Sequence, residues 1–305
     1  MKHPIIIYVP GLLPKPEPEV HRAALMRSLL AGLRRVDGPV ADAIEDTAGG
    51  FDLIAWTYDF YLAHRDFELD RTAVDAVIEQ SEANERDIRE ASSWLRRLNR
   101  WLYTLGDMMP FLIPHLASER MELHLRDLLR YERNENGISD HVRRLLKVAL
   151  QAAAGGGHPV LLIGHSMGSV ISYDALWELS HSHDNPASVD LLLTMGSPLG
   201  QRFIQKRVNG HDETGRERYP HNIKRWQNLT AIGDLSAIDP YLANDFGEMV
   251  EMGLVESIED EALLNYFRLD DELNVHAEYG YLTNEKTART IAKWWRGHHS
   301  GLPAS

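Results

Sequence analysis

Residues 158–179 read HPVLLIGHSMGSVISYDALWEL. An unbroken apolar run, Val160 to Ile163, passes through Gly164, Ser166 and Gly168 straight into a helical pattern. Such a sharp strand-to-helix turn strains the backbone of its central residue, and side chains two positions to either side would collide with neighbouring backbone, hence the glycines. The turn presents the Ser166 hydroxyl at the carboxyl edge of a sheet. The following helix directs its first N–H groups and its positive dipole end at the same place, which favours a developing negative charge. Ser166 is therefore the candidate nucleophile, and His165 reads as a filler of the motif that packs on the sheet.

On either side of this turn, four more short apolar runs read as buried parallel strands: Ile5 to Val9, Leu53 to Tyr58, Leu191 to Met195 and Leu229 to Ile232. Helical patterns with apolar residues spaced by three and four run over Glu19 to Arg35, Ser139 to Ala153, Gly168 to Leu179 and Glu285 to Trp295. The alternation predicts an α/β fold with a doubly wound, mostly parallel sheet. About a hundred residues separate the second and third strands, far beyond the roughly dozen that a crossover helix needs. The chain thus reads as one domain over residues 1–305 with a helical insertion at 60–136. Inside it, Gly106 to Leu116 (GDMMPFLIPHL) is apolar, rich in Met and Pro, and unsuited to a helix interior. Phe111 and Leu112 are its candidate substrate-binding residues, as part of a lid or pocket wall.

Composition removes several function classes. The chain has no cysteine, which excludes a thiolate nucleophile, disulfides and cysteine-based metal centres. A net charge of -13 argues against a nucleic-acid partner, which requires clustered Lys and Arg. Much of that charge lies between Asp234 and Glu272, where twelve acids face one base, Arg268; the stretch reads as a solvated helical face. No apolar run reaches the roughly 18 to 20 residues of a membrane span, and Ile5 to Leu13, cut by Pro10 and Gly11, makes a poor signal peptide. A cytoplasmic protein is expected, with peripheral membrane contact left open. No metal motif is apparent, because His181 and His183 and the pair His298 and His299 lack a second ligand set at useful spacing.

GHSMGS, with the strands around it, resembles the nucleophile elbow of α/β-hydrolases. A second stretch, TMGSPLG at Thr194 to Gly200, follows the next predicted strand and, together with GHSMGSVISYDAL, resembles intracellular phospholipase A1 enzymes of the DDHD type and related lipid-ester hydrolases. The resemblance implies an esterase or lipase, a lipid or other small-molecule ester as partner, and no cofactor. It also implies an oxyanion hole made by the N–H of Met167 and that of Leu12 in VPGLLP, with Gly11 permitting close backbone approach.

A serine hydroxyl needs a histidine to take its proton and an acid to orient that histidine, and in this fold the chain order is Ser, acid, His. Asp234, at the end of an apolar strand in NLTAIGDLSAIDP, is preferred as the acid over Asp239, which precedes Pro240 in a turn. His276, in a loop ahead of the final helix, is preferred as the base over His298 and His299 beyond it. The expected activity is cleavage of carboxylic esters through Ser166, Asp234 and His276. Acyl transfer on the same triad and a catalytically silent hydrolase-fold binding protein are the alternatives.

Overall fold

A computed structural model describes residues 2–93, 119–182, 187–299 and 302. Its centre is a six-stranded sheet in the order β2-β1-β3-β4-β5-β6, with every neighbouring pair parallel. The strands are β1 (Ile5–Val9), β2 (Phe51–Leu53), β3 (Val160–His165), β4 (Leu191–Met195), β5 (Arg225–Ala231) and β6 (Ser257–Leu263). Side chains along β1 alternate between two cores, as the period of a strand requires. Ile6 and Tyr8 face the core formed with α1 (Pro18–Val36), whereas Ile7 and Val9 face the core formed with α2 (Ile138–Gly156) and α3 (Met167–Ser180). The last helix, α4 (Glu285–His298), packs beside α1 through Ala288, Ile291 and Trp295. Helices on both faces make this an α/β architecture. Among the described residues, no helix is long and apolar enough to cross a membrane.

Three elements depart from the sequence reading. β2 ends at Leu53, and Thr57–Tyr61 is a short helix rather than the rest of a strand. Register explains the early stop: β1 offers β2 only Ile6, Ile7 and Tyr8, after which the Trp56 indole turns back to donate to Pro10 O at 2.9 Å. β5 begins at Arg225, four residues before its apolar run, because the ladder with β6 continues through half-buried Arg225 and Gln227. β6 itself falls inside the acidic stretch assigned to a helical face. It is an edge strand, SIEDEAL, and its exposed acid Glu259 suits a position where further strand pairing must be discouraged.

The region between β2 and β3 does not form a separate cap where it is described. Ala73, Val74 and Val77 of the helix Glu68–Glu79 join the α1 core, while Leu128 and Tyr131 of Glu119–Glu132 join the α2 and α3 core. The two parts are therefore built into opposite faces of the sheet. Residues 94–118 lie outside the described residues, and with them the apolar segment that carries Phe111 and Leu112.

Candidate active site

β3 runs through His165 into α3 with Ser166 at the junction, at φ 53° and ψ -125°. A non-glycine residue at positive φ costs of order 1–3 kcal/mol and persists only where its surroundings enforce it. Here the enforcement is backbone packing. A Cβ on Gly168 would stand 2.0 Å from Val9 O, and one on Gly11 would stand 2.8 Å from Ser166 Cβ and 3.3 Å from its Oγ. The turn is thus pressed against the end of β1. Ser166 N–H donates to Met195 O at 2.9 Å, which joins the elbow to the start of the second motif. Ser169 and Ser197 share a hydrogen bond of 2.7 Å, and Ser169 also donates to Ser166 O at 2.6 Å.

The loop after β1 is clamped on both sides of Leu12. Trp56 holds Pro10 O, and the Tyr61 hydroxyl accepts from Leu13 N at 3.1 Å while donating to Asp127 at 2.9 Å. Leu12 and Met167, the expected oxyanion donors, therefore sit on backbone fixed against the half-buried Ser166. Met167 occupies the first turn of α3, where backbone N–H groups have no intrahelical acceptor.

Asp234 and His276 are joined directly. Asp234 Oδ2 accepts from His276 Nδ1 at 2.8 Å and from the Tyr281 hydroxyl at 2.9 Å, and its Oδ1 accepts from Ser236 N at 2.9 Å. Burial by itself would raise this carboxyl, which is 1% exposed, but the imidazole charge and the three donors outweigh it and hold it below the usual carboxylate range. Gly196, at φ 55° in TMGSP, lies beside the pair. A Cβ there would approach Asp234 Oδ2 at 2.9 Å and His276 Nδ1 at 3.0 Å. Because Ser166 N bonds Met195 and Gly196 abuts the pair, serine, histidine and aspartate converge on the end of β4. No hydrogen bond links Ser166 Oγ to His276 among the described residues. No family model, curated protein or solved structure matches the chain.

Beneath His276 lies a buried charged group that sequence reasoning missed. Glu278, 4% exposed, accepts from Lys15 Nζ at 2.8 Å, His21 Nε2 at 3.0 Å and the Tyr8 hydroxyl at 3.1 Å. Burial opposes its ionisation, yet Lys15 and His21 prevail and keep the carboxyl well below its ordinary value. These partners come from β1, the loop after it and α1, so one carboxylate ties the Leu12 loop to the segment bearing His276.

His165 is more than a motif filler. Its Nε2 must carry the proton, since it faces a carbonyl, His276 O, at 2.9 Å. Burial, reinforced by the neighbouring His276, lowers this imidazole to about 3, so it stays neutral and its N–H is a permanent donor. The residue before Ser166 thereby fixes the backbone of His276. The other candidates fall elsewhere: Asp239 Oδ1 caps Tyr241 N at 3.0 Å, and His298 bonds Trp294 O at 2.8 Å at the far end of α4. Glu278 and Tyr281 follow His276 in HAEYGYL, but only their distant partners reveal their roles.

Proposed function

We propose that the chain is a serine hydrolase of the α/β-hydrolase type that cleaves carboxylic esters through Ser166, His276 and Asp234. The observation that carries this reading is the 2.8 Å bond between Asp234 and His276, placed beside a serine held at φ 53° on a strand-to-helix turn. Ser166 Oγ attacks the ester carbonyl while His276 Nε2 takes its proton, and Asp234 stabilises the imidazolium formed. The tetrahedral oxyanion is held by the N–H groups of Met167 and Leu12. As the carbonyl re-forms, the C–O bond to the alcohol breaks and His276 returns the proton to it. Water then attacks the acyl carbon while giving a proton to the same histidine, and His276 returns that proton to Ser166 Oγ as the acyl–serine bond breaks and the acid leaves. Resemblance of GHSMGS and TMGSPLG to lipid-ester hydrolases favours an acyl or lipid ester; an alcohol acceptor replacing water would turn the same steps into acyl transfer.

The missing hydrogen bond between Ser166 Oγ and His276 favours a second reading, a binding protein on a hydrolase scaffold. Catalytic hydrogen bonds are commonly long without substrate, which leaves the hydrolase reading ahead. A fluorophosphonate probe separates the two because it reacts only with an activated serine. Labelling of the wild-type chain, abolished in Ser166→Ala, is the expected result. An unlabelled, folded wild-type chain would establish the binding protein instead.

A further inference from the structure

At the opposite end of α3 from Ser166, three side chains from separate parts of the chain meet. His181 caps the C-terminus of α3, Glu217 sits in the 3₁₀ turn Gly215–Arg218, and His221 precedes β5. Their ligand atoms all lie within 4.8 Å of one another, with His181 Nε2 3.2 Å from Glu217 Oε2. We propose that His181, Glu217 and His221 bind a divalent transition-metal ion, zinc being the best match.

Four observations support the site. First, Nε2 of His221 is buried without a hydrogen-bond partner, although buried ring nitrogens normally find one, and Nε2 of His181, also buried, faces only the Glu217 carboxylate. Second, His181 Nδ1 lies 2.8 Å from Trp177 O and 3.2 Å from Ser180 Oγ, which turns the other ring nitrogen, Nε2, toward Glu217. A backbone carbonyl holding the outer nitrogen of a ligating histidine is the usual outer contact of a zinc site. The Arg216 backbone is the corresponding neighbour of the His221 ring. Third, the positions are braced: the Trp177 ring stacks on His181 at 4.3 Å, and its indole N–H donates to Glu217 O at 2.9 Å. Fourth, a cation at this place meets the negative end of the α3 dipole.

The donor set selects the metal. Two imidazoles and one carboxylate suit zinc and its transition-metal neighbours, whereas magnesium and calcium require mostly oxygen. Metal–ligand bonds of about 2.0–2.2 Å set tetrahedral ligand separations near 3.4 Å, close to the His181–Glu217 distance. A water completes the fourth position. α3 has 14 residues, which puts the site about 20 Å from Ser166, so the ion does not take part in ester cleavage. It cross-links α3 to the turn and to the entry of β5, and favours the folded chain by mass action. The fold thus supplies the second ligand set that the sequence around His181 lacks.

The test uses the full chain freed of metal by a chelator. Titration with zinc chloride, followed by calorimetry and thermal melting, should show one tight site and a raised Tm, with no response to magnesium chloride. Because the chain has 15 histidines, the assignment rests on variants. His221→Ala should lose that site, and Glu217→Gln should weaken it at least tenfold, while fluorophosphonate labelling of Ser166 stays as in the wild type. Glu217 is largely exposed, so its variant keeps the fold even if His221→Ala does not. Unchanged zinc affinity and stoichiometry in Glu217→Gln, or no saturable binding in the wild type, would overturn the proposal; it stands independently of the esterase reading.

Discussion

Asp234 accepts three hydrogen bonds, and they predict a graded response to substitution. Asp234→Asn presents an amide where His276 needs an acceptor, so p-nitrophenyl ester turnover should fall by about 10³–10⁴-fold with the fold kept. Tyr281→Phe leaves the charge and the histidine bond in place but removes one donor, and it orphans Ala231 N–H, which donates to the Tyr281 hydroxyl at 2.8 Å. Its turnover should fall about tenfold, and unfolding titration should show a loss of about 1–3 kcal/mol. Asp239→Asn should leave turnover within about twofold, since that carboxylate only caps Tyr241 N. Equal losses from the two aspartate variants would show that Asp234 is not the orienting acid. At this scale the sequence was readable where chemistry depends on neighbours. Ser166 between glycines and Asp234 at a strand end are local signals. Tyr281 and Glu278 were invisible because their importance arises from partners more than forty residues away, such as Asp234 and Lys15.

Elements follow the same division. β1, β3 and β4 were legible because they are buried on both faces and therefore continuously apolar. β6 was not, because an edge strand carries charge on its open side, and its Asp260 is occupied capping Leu242 and Ala243 N–H groups at 3.0 and 2.9 Å. The segment from β7 (Arg268–Leu269) and β8 (Glu272–Leu273) to His276 is held by two devices. Arg268 pairs with the buried Asp87 at 2.8 Å, and Glu278 anchors the other side of the histidine. Glu278→Gln leaves Lys15 without its counter-charge in a buried setting and should cost about 3–5 kcal/mol at pH 7. The sign with pH is fixed: a carboxyl held low in the folded state stabilises above its unfolded value near 4.3 and loses that contribution as pH falls through the folded value. Urea denaturation of both chains should therefore show a gap at pH 7 that narrows below pH ~4. A gap independent of pH would mean that Glu278 acts by shape rather than charge.

For the whole molecule, Asp174 works in the opposite sense. It is buried in α3, accepts from the Tyr131 hydroxyl at 3.0 Å and Asn209 N at 2.8 Å, and is pushed up to about 6 chiefly by burial. The folded chain therefore holds this proton more tightly than the unfolded chain, whose value is near 3.9, and this site's contribution to stability falls as pH rises from about 4 to about 6. Asp174→Asn removes that dependence. Relative to wild type it should gain stability above pH ~6, by up to roughly 3 kcal/mol, with the gain vanishing toward pH ~4. Denaturation curves at pH 5 and pH 8 decide the matter; a variant that loses ground as pH rises contradicts the assignment. The order of the sheet carries a last consequence, for biosynthesis. β1 takes its partners from both directions, pairing Ile6 with Phe51 on one side and Ile5 with Val160 on the other. A ribosome delivers residue 5 long before residue 160, so β1 and β2 wait as a fragment with an exposed apolar margin until β3 and the Ser166 turn emerge. Such late, non-local closure slows folding and leaves the nascent chain dependent on protection from its neighbours.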